Sequence, residues 1–276
     1  MTRPIITLVT DFGPAAPAVC RGVMLGIAPE ANIIDVNHFV PRYSIRGGSR
    51  TLVFALPYMP VGIHVAVVDP GVGTSRLPIA IRVRRGDILI GPDNGLLMAA
   101  AEKLGGILEV RAIENRELML KTISSSFHGR DIFSPVAAHL AMGTPFESVG
   151  PEVEASALVR LTEPQAVVNA AERRLDTVVV DIQIYGNVIF AGEPADLEAA
   201  IGPLEDGRRI TVEFPATKDH PSVIETTRWG ITFGSVPVGY SVLMADSEGQ
   251  LSLADNQGIA AMRLGLMGER PAIIRG

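Results

Sequence analysis

Gly62-Ile63-His64-Val65-Ala66-Val67-Val68-Asp69-Pro70-Gly71-Val72-Gly73-Thr74-Ser75-Arg76 reads as a buried strand running into a tight loop. The run from Ile63 to Val68 is short and rich in β-branched residues, the composition of a strand covered on both faces. Pro70, Gly71 and Gly73 punctuate the loop and present Asp69 and Arg76 at the strand's carboxyl end, where open α/β sheets bind ligands. A second polar cluster, Ser124-Ser125-Ser126-Phe127-His128-Gly129-Arg130-Asp131, precedes another helical pattern.

Outward from that strand, the first half alternates strand and helix. Strand patterns cover 5–9, 32–36, 63–68 and 107–110, and helical ones cover 18–27, 45–56 and 96–104. Residues 79–83 and 87–90 read as a hairpin. Ser134 is placed to cap a last helix, with Pro135 in its first turn and Gly143 at its end. Such alternation implies a mainly parallel sheet covered by helices. After a polar, proline-containing connection at 151–174 the texture changes to short strands at 177–184, 187–190, 209–214, 222–225, 242–245 and 250–253. Closely spaced turns of this kind favour a small barrel or sandwich. The expected architecture is therefore an α/β domain over 1–155 and a smaller β-barrel-like domain over 172–276.

Composition narrows the function classes. With 47% hydrophobic and 20% charged residues, the chain of 276 residues has the makings of large globular cores. A formal net charge of −6 disfavours general nucleic-acid binding, which wants a basic face. No apolar run approaches the roughly 20 residues of a membrane helix. Met1-Thr2-Arg3-Pro4 lacks a signal-peptide pattern, so the expected location is the cytoplasm. Cys20 is the only cysteine, which excludes an intrachain disulfide and a cysteine metal cluster; Val19 and Val23 beside it suggest a buried helical face. His38, His64 and His220 show no zinc-ligand spacing with carboxylates.

The segments around Asp69 and His128, together with Thr10-Asp11-Phe12-Gly13 and Gly91-Pro92-Asp93-Asn94-Gly95-Leu96-Leu97, closely resemble the S-adenosylmethionine hydroxide adenosyltransferase family, related to the enzymes that halogenate adenosine at its 5' carbon. The motifs match in order and spacing over nearly the whole chain. The resemblance implies hydrolysis of S-adenosylmethionine to adenosine and methionine by water attacking the ribose 5' carbon, without metal or redox cofactor. It implies a catalytic triad of Asp69, Arg76 and His128, with either Asp69 or His128 as proton acceptor. It places Asp11 on the ribose hydroxyls, Tyr43 beside the nucleoside, and Asn187, Ser247, Asn256 and Gln257 among the substrate contacts. It further implies a homotrimer with the nucleoside held between the first domain of one subunit and the second domain of its neighbour. In the halogenating branch the Asp69 segment resembles Tyr-Pro and the counterparts of Arg76 and His128 are lost, so this chain resembles the hydroxide type. Read without the resemblance, Asp69 is a turn residue paired with Arg76, and His128 packs before a helix.

The departures from the family pattern fall where the methionine tail would lie. Pro14-Ala15-Ala16-Pro17 lacks the family's second aspartate, Gln183 stands where an acid is usual, and Glu248 would repel a carboxylate if it faced one. Two further readings therefore stand beside the first: the same chemistry on another adenosine derivative, and a nucleoside-binding protein without turnover.

Overall fold

The computed structural model describes residues 3–276. The chain forms two compact units, Met1–Leu161 and Thr162–Gly276.

In the first unit the elements run β1 (Ile5–Thr10), α1 (Ala16–Ile27), β2 (Asn32–Asn37), α2 (Ile45–Ala55), β3 (Ile63–Val67), β4 (Pro78–Val83), β5 (Ile88–Pro92), α3 (Met98–Lys103), β6 (Ile107–Ala112) and α4 (Ser134–Ala141). They build a sheet of order β2-β1-β3-β5-β4-β6. The β2-β1-β3-β5 portion is parallel, and β4 pairs antiparallel with both β5 and β6. Alternation along the strands sends Leu8, Val65 and Val67 into one core with Cys20 and Met24 of α1 and Val136 and Ala137 of α4. Val9, Ala66 and Val68 point the other way, against Leu52 of α2 and Met98 and Ala100 of α3. Helices thus cover both faces.

The chain leaves β1 for β2 through α1 on one face, then returns past β1 to β3 through α2 on the other. That reversal is a topological switch between β1 and β3, and it opens a crevice at their carboxyl ends. Asp11 follows β1 and Asp69 follows β3, so both acids stand at this crevice.

Two local expectations need correction. Ser134 does not cap a helix: a π-helical turn, Gly129–Phe133, runs directly into α4, and the Ser134 hydroxyl donates to the Gly129 carbonyl at 2.6 Å inside that continuous helix. In α1 the buried stripe is Pro17, Cys20 and Met24, while Val19 is exposed. Helical spacing picks out Pro17, Cys20 and Met24, because residues three and four apart share a face.

The second unit holds β7 (Val167–Asn169), β8 (Arg174–Ile182), β9 (Val188–Phe190), α5 (Pro194–Ile201), β10 (Arg209–Phe214), β11 (Val223–Trp229), β12 (Ser241–Ala245), β13 (Leu251–Asp255), α6 (Ala260–Arg263) and β14 (Arg270–Arg275). The order β14-β10-β11-β12-β13-β9-β8 closes on itself through a β14–β8 pairing, giving a seven-stranded barrel with β7 attached to β8. Closure removes the free sheet edges. Inward residues Phe190, Ile210, Val212, Phe214, Trp229, Leu243, Leu253 and Ile274 fill it. The segment read as a connection is ordered at both ends. Leu158 is buried in the first unit, the Val159 amide donates to Asp93, and β7 pairs with β8.

Candidate active site

Asp69, Arg76 and His128 come together in the first unit. Arg76 Nε donates to both Asp69 oxygens, at 3.1 and 2.9 Å, and its Nη2 makes a further short bond to Oδ2. The same Nη2 lies 2.9 Å from His128 Nδ1. The guanidinium carbon sits 5.3 Å from the centre of the Phe133 ring. Arg76 is therefore held by a carboxylate, an imidazole and an aromatic ring, and its side chain is only 10% exposed, that of Asp69 4%.

This geometry fixes the state of His128. A guanidinium has donors only, so Nδ1 must accept, and the imidazole is neutral with its proton on Nε2. Burial first, and then the Arg76 charge, hold the His128 pKa below the usual imidazole value; Asp69 and Asp131 pull the other way without prevailing.

Backbone features bring the two loops together. A Cβ on Gly73 would fall 2.4 Å from the Ser125 carbonyl oxygen, and φ there is +78°, so both the approach and the conformation require glycine. On the facing loop, Asp131 is buried and its Oδ2 accepts the Ser124 amide at 2.8 Å. Arg130 Nε and Nη2 bond the same carboxylate at 2.6 and 3.0 Å. Burial opposes the Asp131 charge, but the Arg130 and Ser124 hydrogen bonds outweigh it and the pKa is lowered. Phe12 meets Phe127 edge-on at 5.6 Å and lies against Gly129, which ties the loop after β1 to the one carrying His128.

Asp11 and Tyr43 are also joined. The Tyr43 amide donates to Asp11 Oδ2 at 3.0 Å, and Tyr43 adopts φ +64°, unusual for a residue with a side chain. Its ring is 71% exposed. Beneath Asp11, the Thr10 hydroxyl lies 2.9 Å from His38 Nδ1 and accepts the Phe12 amide at 3.3 Å. His38 Nε2 is 3.0 Å from Asp35 Oδ1, outside hydrogen-bond alignment. Asn94 is scaffolding: its Nδ2 donates to the Val68 carbonyl at 2.9 Å, bracing the strand end that carries Asp69. Asp93 accepts the Val159 amide at 2.9 Å, and burial raises its pKa.

The remaining candidates belong to the second unit. Asn187 is buried and donates to Gln183 Oε1 at 3.1 Å. Asn256 Nδ2 donates to the Val236 carbonyl at 2.7 Å, Gln257 has φ +56°, and Ser247 and Glu248 are exposed on the turn between β12 and β13. Sequence reasoning missed His38, Phe12 and Asp131 as organisers of the loops. Their partners lie on other elements, except that Asp131 and Arg130 are neighbours in a string already marked as polar.

A doubly covered parallel sheet with an Asp–Arg–His centre beside its switch point, in a chain that also carries a closed barrel, defines a two-unit α/β enzyme. Residues 6–150 match the family model of the SAM hydroxide adenosyltransferase N-terminal domain, and residues 177–272 match that of its C-terminal domain. The chain belongs to the SAM hydroxide adenosyltransferase family. A protein of Salinispora tropica named (R)-S-adenosyl-L-methionine hydrolase is 41% identical over 276 residues, covering 99% of this chain and 98% of the relative. A protein of Actinopolyspora mzabensis named fluorinase is 28% identical, covering 92% and 91%. A crystal structure described as an uncharacterized conserved protein from Thermotoga maritima has a TM-score of 0.83 at 32% identity, covering 98% of this chain and 100% of its own.

Proposed function

We propose that this chain hydrolyses S-adenosylmethionine to adenosine and L-methionine. The observation that carries this reading is the Asp69–Arg76–His128 cluster, present in a chain whose 41% identical relative is named (R)-S-adenosyl-L-methionine hydrolase. A water oxygen forms a bond to ribose C5' as the C5'–S bond breaks. The bonding pair leaves on sulfur, turning a sulfonium into a neutral thioether that needs no general acid. Arg76 stabilises the developing hydroxide from a fixed position, because its guanidinium is already anchored before the reaction. His128, with its Nδ1 lone pair turned to Arg76, acts as an Nε2–H donor that orients the water, and Asp69 receives the proton. Such proton transfer contributes roughly 10² to 10⁴-fold, and positioning supplies much of the rest. The reaction as written needs no metal or redox cofactor. Among the described residues no group of three or more His, Cys, Asp or Glu is arranged to hold a metal ion.

Asp11 and Tyr43 bind the ribose and the flank of the nucleoside, and Asn187, Ser247, Asn256 and Gln257 complete the site from the barrel unit. A homotrimer supplies these two sets from neighbouring subunits. The protein acts in the cytoplasm; among the described residues no helix is long and apolar enough to cross a membrane. One observation favours a variant of this reading. Glu248 is exposed beside Ser247, with its amide on Asp246 Oδ1 at 2.8 Å, so a substrate tail lacking a carboxylate would avoid two acids.

The test is chromatographic detection of both products from S-adenosylmethionine with wild type and Asp69→Ala. Adenosine and methionine in equal amounts from wild type alone support the reading. Adenosine at the no-enzyme level with both proteins refutes it, and turnover of 5'-dialkylsulfonium nucleosides whose tails lack a carboxylate would then select the variant.

A further inference from the structure

The barrel of the second unit has an opening in its wall. β11 and β12 run parallel but pair only at Arg228 with Val242 and Trp229 with Leu243. Their connection, residues 230–240, is shorter than parallel crossovers usually require. Upstream of that pair the strands splay, and a cleft of about 590 Å³ lies between Glu225–Arg228 and Gly239–Ser241, bordered also by Arg209, Ser235 and Arg263. Across it the Ser241 hydroxyl donates to Glu225 Oε1 at 2.5 Å, a side-chain link where the ladder is missing.

The chemistry of the cleft is uneven. Arg263 is matched: its Nη2 donates to Asp255 Oδ1 at 2.7 Å and Glu225 Oε1 at 3.0 Å, with Nε on Asp255 Oδ2 at 2.9 Å. Arg209 and Arg228 are not. They stand directly opposite each other on β10 and β11, both exposed, and like charges so placed destabilise a strand pair. Arg228 Nη1 is fixed on the Gly207 carbonyl at 2.9 Å, and Arg209 has no ion-pair partner among the described residues. Thr227 pairs with the core residue Ile210 and faces the barrel interior, so the two guanidiniums stand on the outer face without it.

We propose that this cleft binds a small phosphate-bearing molecule, held between the Arg209 and Arg228 guanidiniums. Guanidinium forks match the spacing of phosphate oxygens, and the volume lies in the range of small-molecule sites. The proposal does not depend on the assignment of the Asp69 centre, since the cleft's lining includes none of the residues given to the reaction.

Calorimetric titration of the full chain with inorganic phosphate and with glycerol 3-phosphate, against acetate as the carboxylate control, tests this. Saturable binding of the phosphates is expected, weakened at least about tenfold in the Arg209→Gln/Arg228→Gln variant, with adenosine formation unchanged. Both substituted side chains are exposed, so the variant should fold. Hydrogen exchange gives a readout on wild type alone: phosphate should slow the amides of Thr226–Arg228. No saturable binding at tens of millimolar, full binding by the double variant, equal binding of acetate, or protection only around Arg76 and His128 would each overturn the proposal.

Discussion

At the scale of single residues, the proposed chemistry turns on Arg76. It hydrogen-bonds both Asp69 and His128, and its charge cannot be lost by titration. Arg76→Lys keeps the charge but not the fork. We expect kcat for adenosine formation to fall by about 10² to 10³-fold, as for loss of a preorganised donor; steady-state kinetics reads this directly. On the proposed reading His128 sets the acid limb. Arg76, Asp69 and Asp131 face it, and burial with Arg76 keeps it neutral below the usual imidazole pKa of about 6.5. Activity should therefore persist below that pH and fail only when the imidazole takes up a second proton and turns from Arg76. The stability sign agrees. Between the two pKa values the unfolded chain binds the proton and the folded one does not, so stability rises with pH across that window and is lost as pH falls. An NMR titration of the His128 ring, beside a pH profile of kcat/KM, checks both; a ring pKa at or above 6.5 would contradict the assignment.

Among elements, the reaction depends on loops clamped at strand ends. Gly73→Ala would force a methyl against the Ser125 carbonyl at a positive φ. A loss of about 1–3 kcal/mol in stability is expected, together with a lower kcat as Arg76 shifts from His128; thermal melting and kinetics separate the two. At the opposite end of the sheet, His64 bridges Thr7 on β1 to Asp87 before β5, with Nδ1 and Nε2 each at 2.9 Å from their partners. Burial opposes the Asp87 charge, yet hydrogen bonds from His64 and Arg85 hold its pKa far below the usual range. That contribution is present above the unfolded carboxylate pKa and is lost as pH falls toward the folded one. Asp87→Ala should cost about 3–5 kcal/mol in denaturant unfolding, because it strands a buried partner.

These elements differ in how openly the sequence declares them. The strand before Asp69 is legible because β-branched residues stop at a proline–glycine loop. The turn carrying His128 is not, because Ser134 and Pro135 imitate a helix start while the chain is already helical from Gly129. The Thr7–His64–Asp87 bridge is invisible because only the β1–β3 and β3–β5 register joins it. In the barrel, α5 hides behind a Glu193–Asp196 capping box in place of the commoner hydroxyl cap, and the closing strand β14 is masked by Pro271 and its arginines.

On the scale of the whole molecule, the proposed site residues divide between the two units. Asp11, Asp69, Arg76 and His128 lie in the first unit, and Asn187, Ser247, Asn256 and Gln257 in the second. If neighbouring subunits pool them, sedimentation equilibrium should give three times the chain mass, and dilution to monomer should abolish turnover; a fully active monomer would refute the shared site. The central claim is that water is the nucleophile at C5'. Mass spectrometry of adenosine formed from S-adenosylmethionine in ¹⁸O-labelled water tests it most directly. The account predicts one ¹⁸O in the 5'-hydroxyl, methionine in equal amount, and neither product from Asp69→Ala. Adenosine without label, or none above the enzyme-free rate, would contradict it.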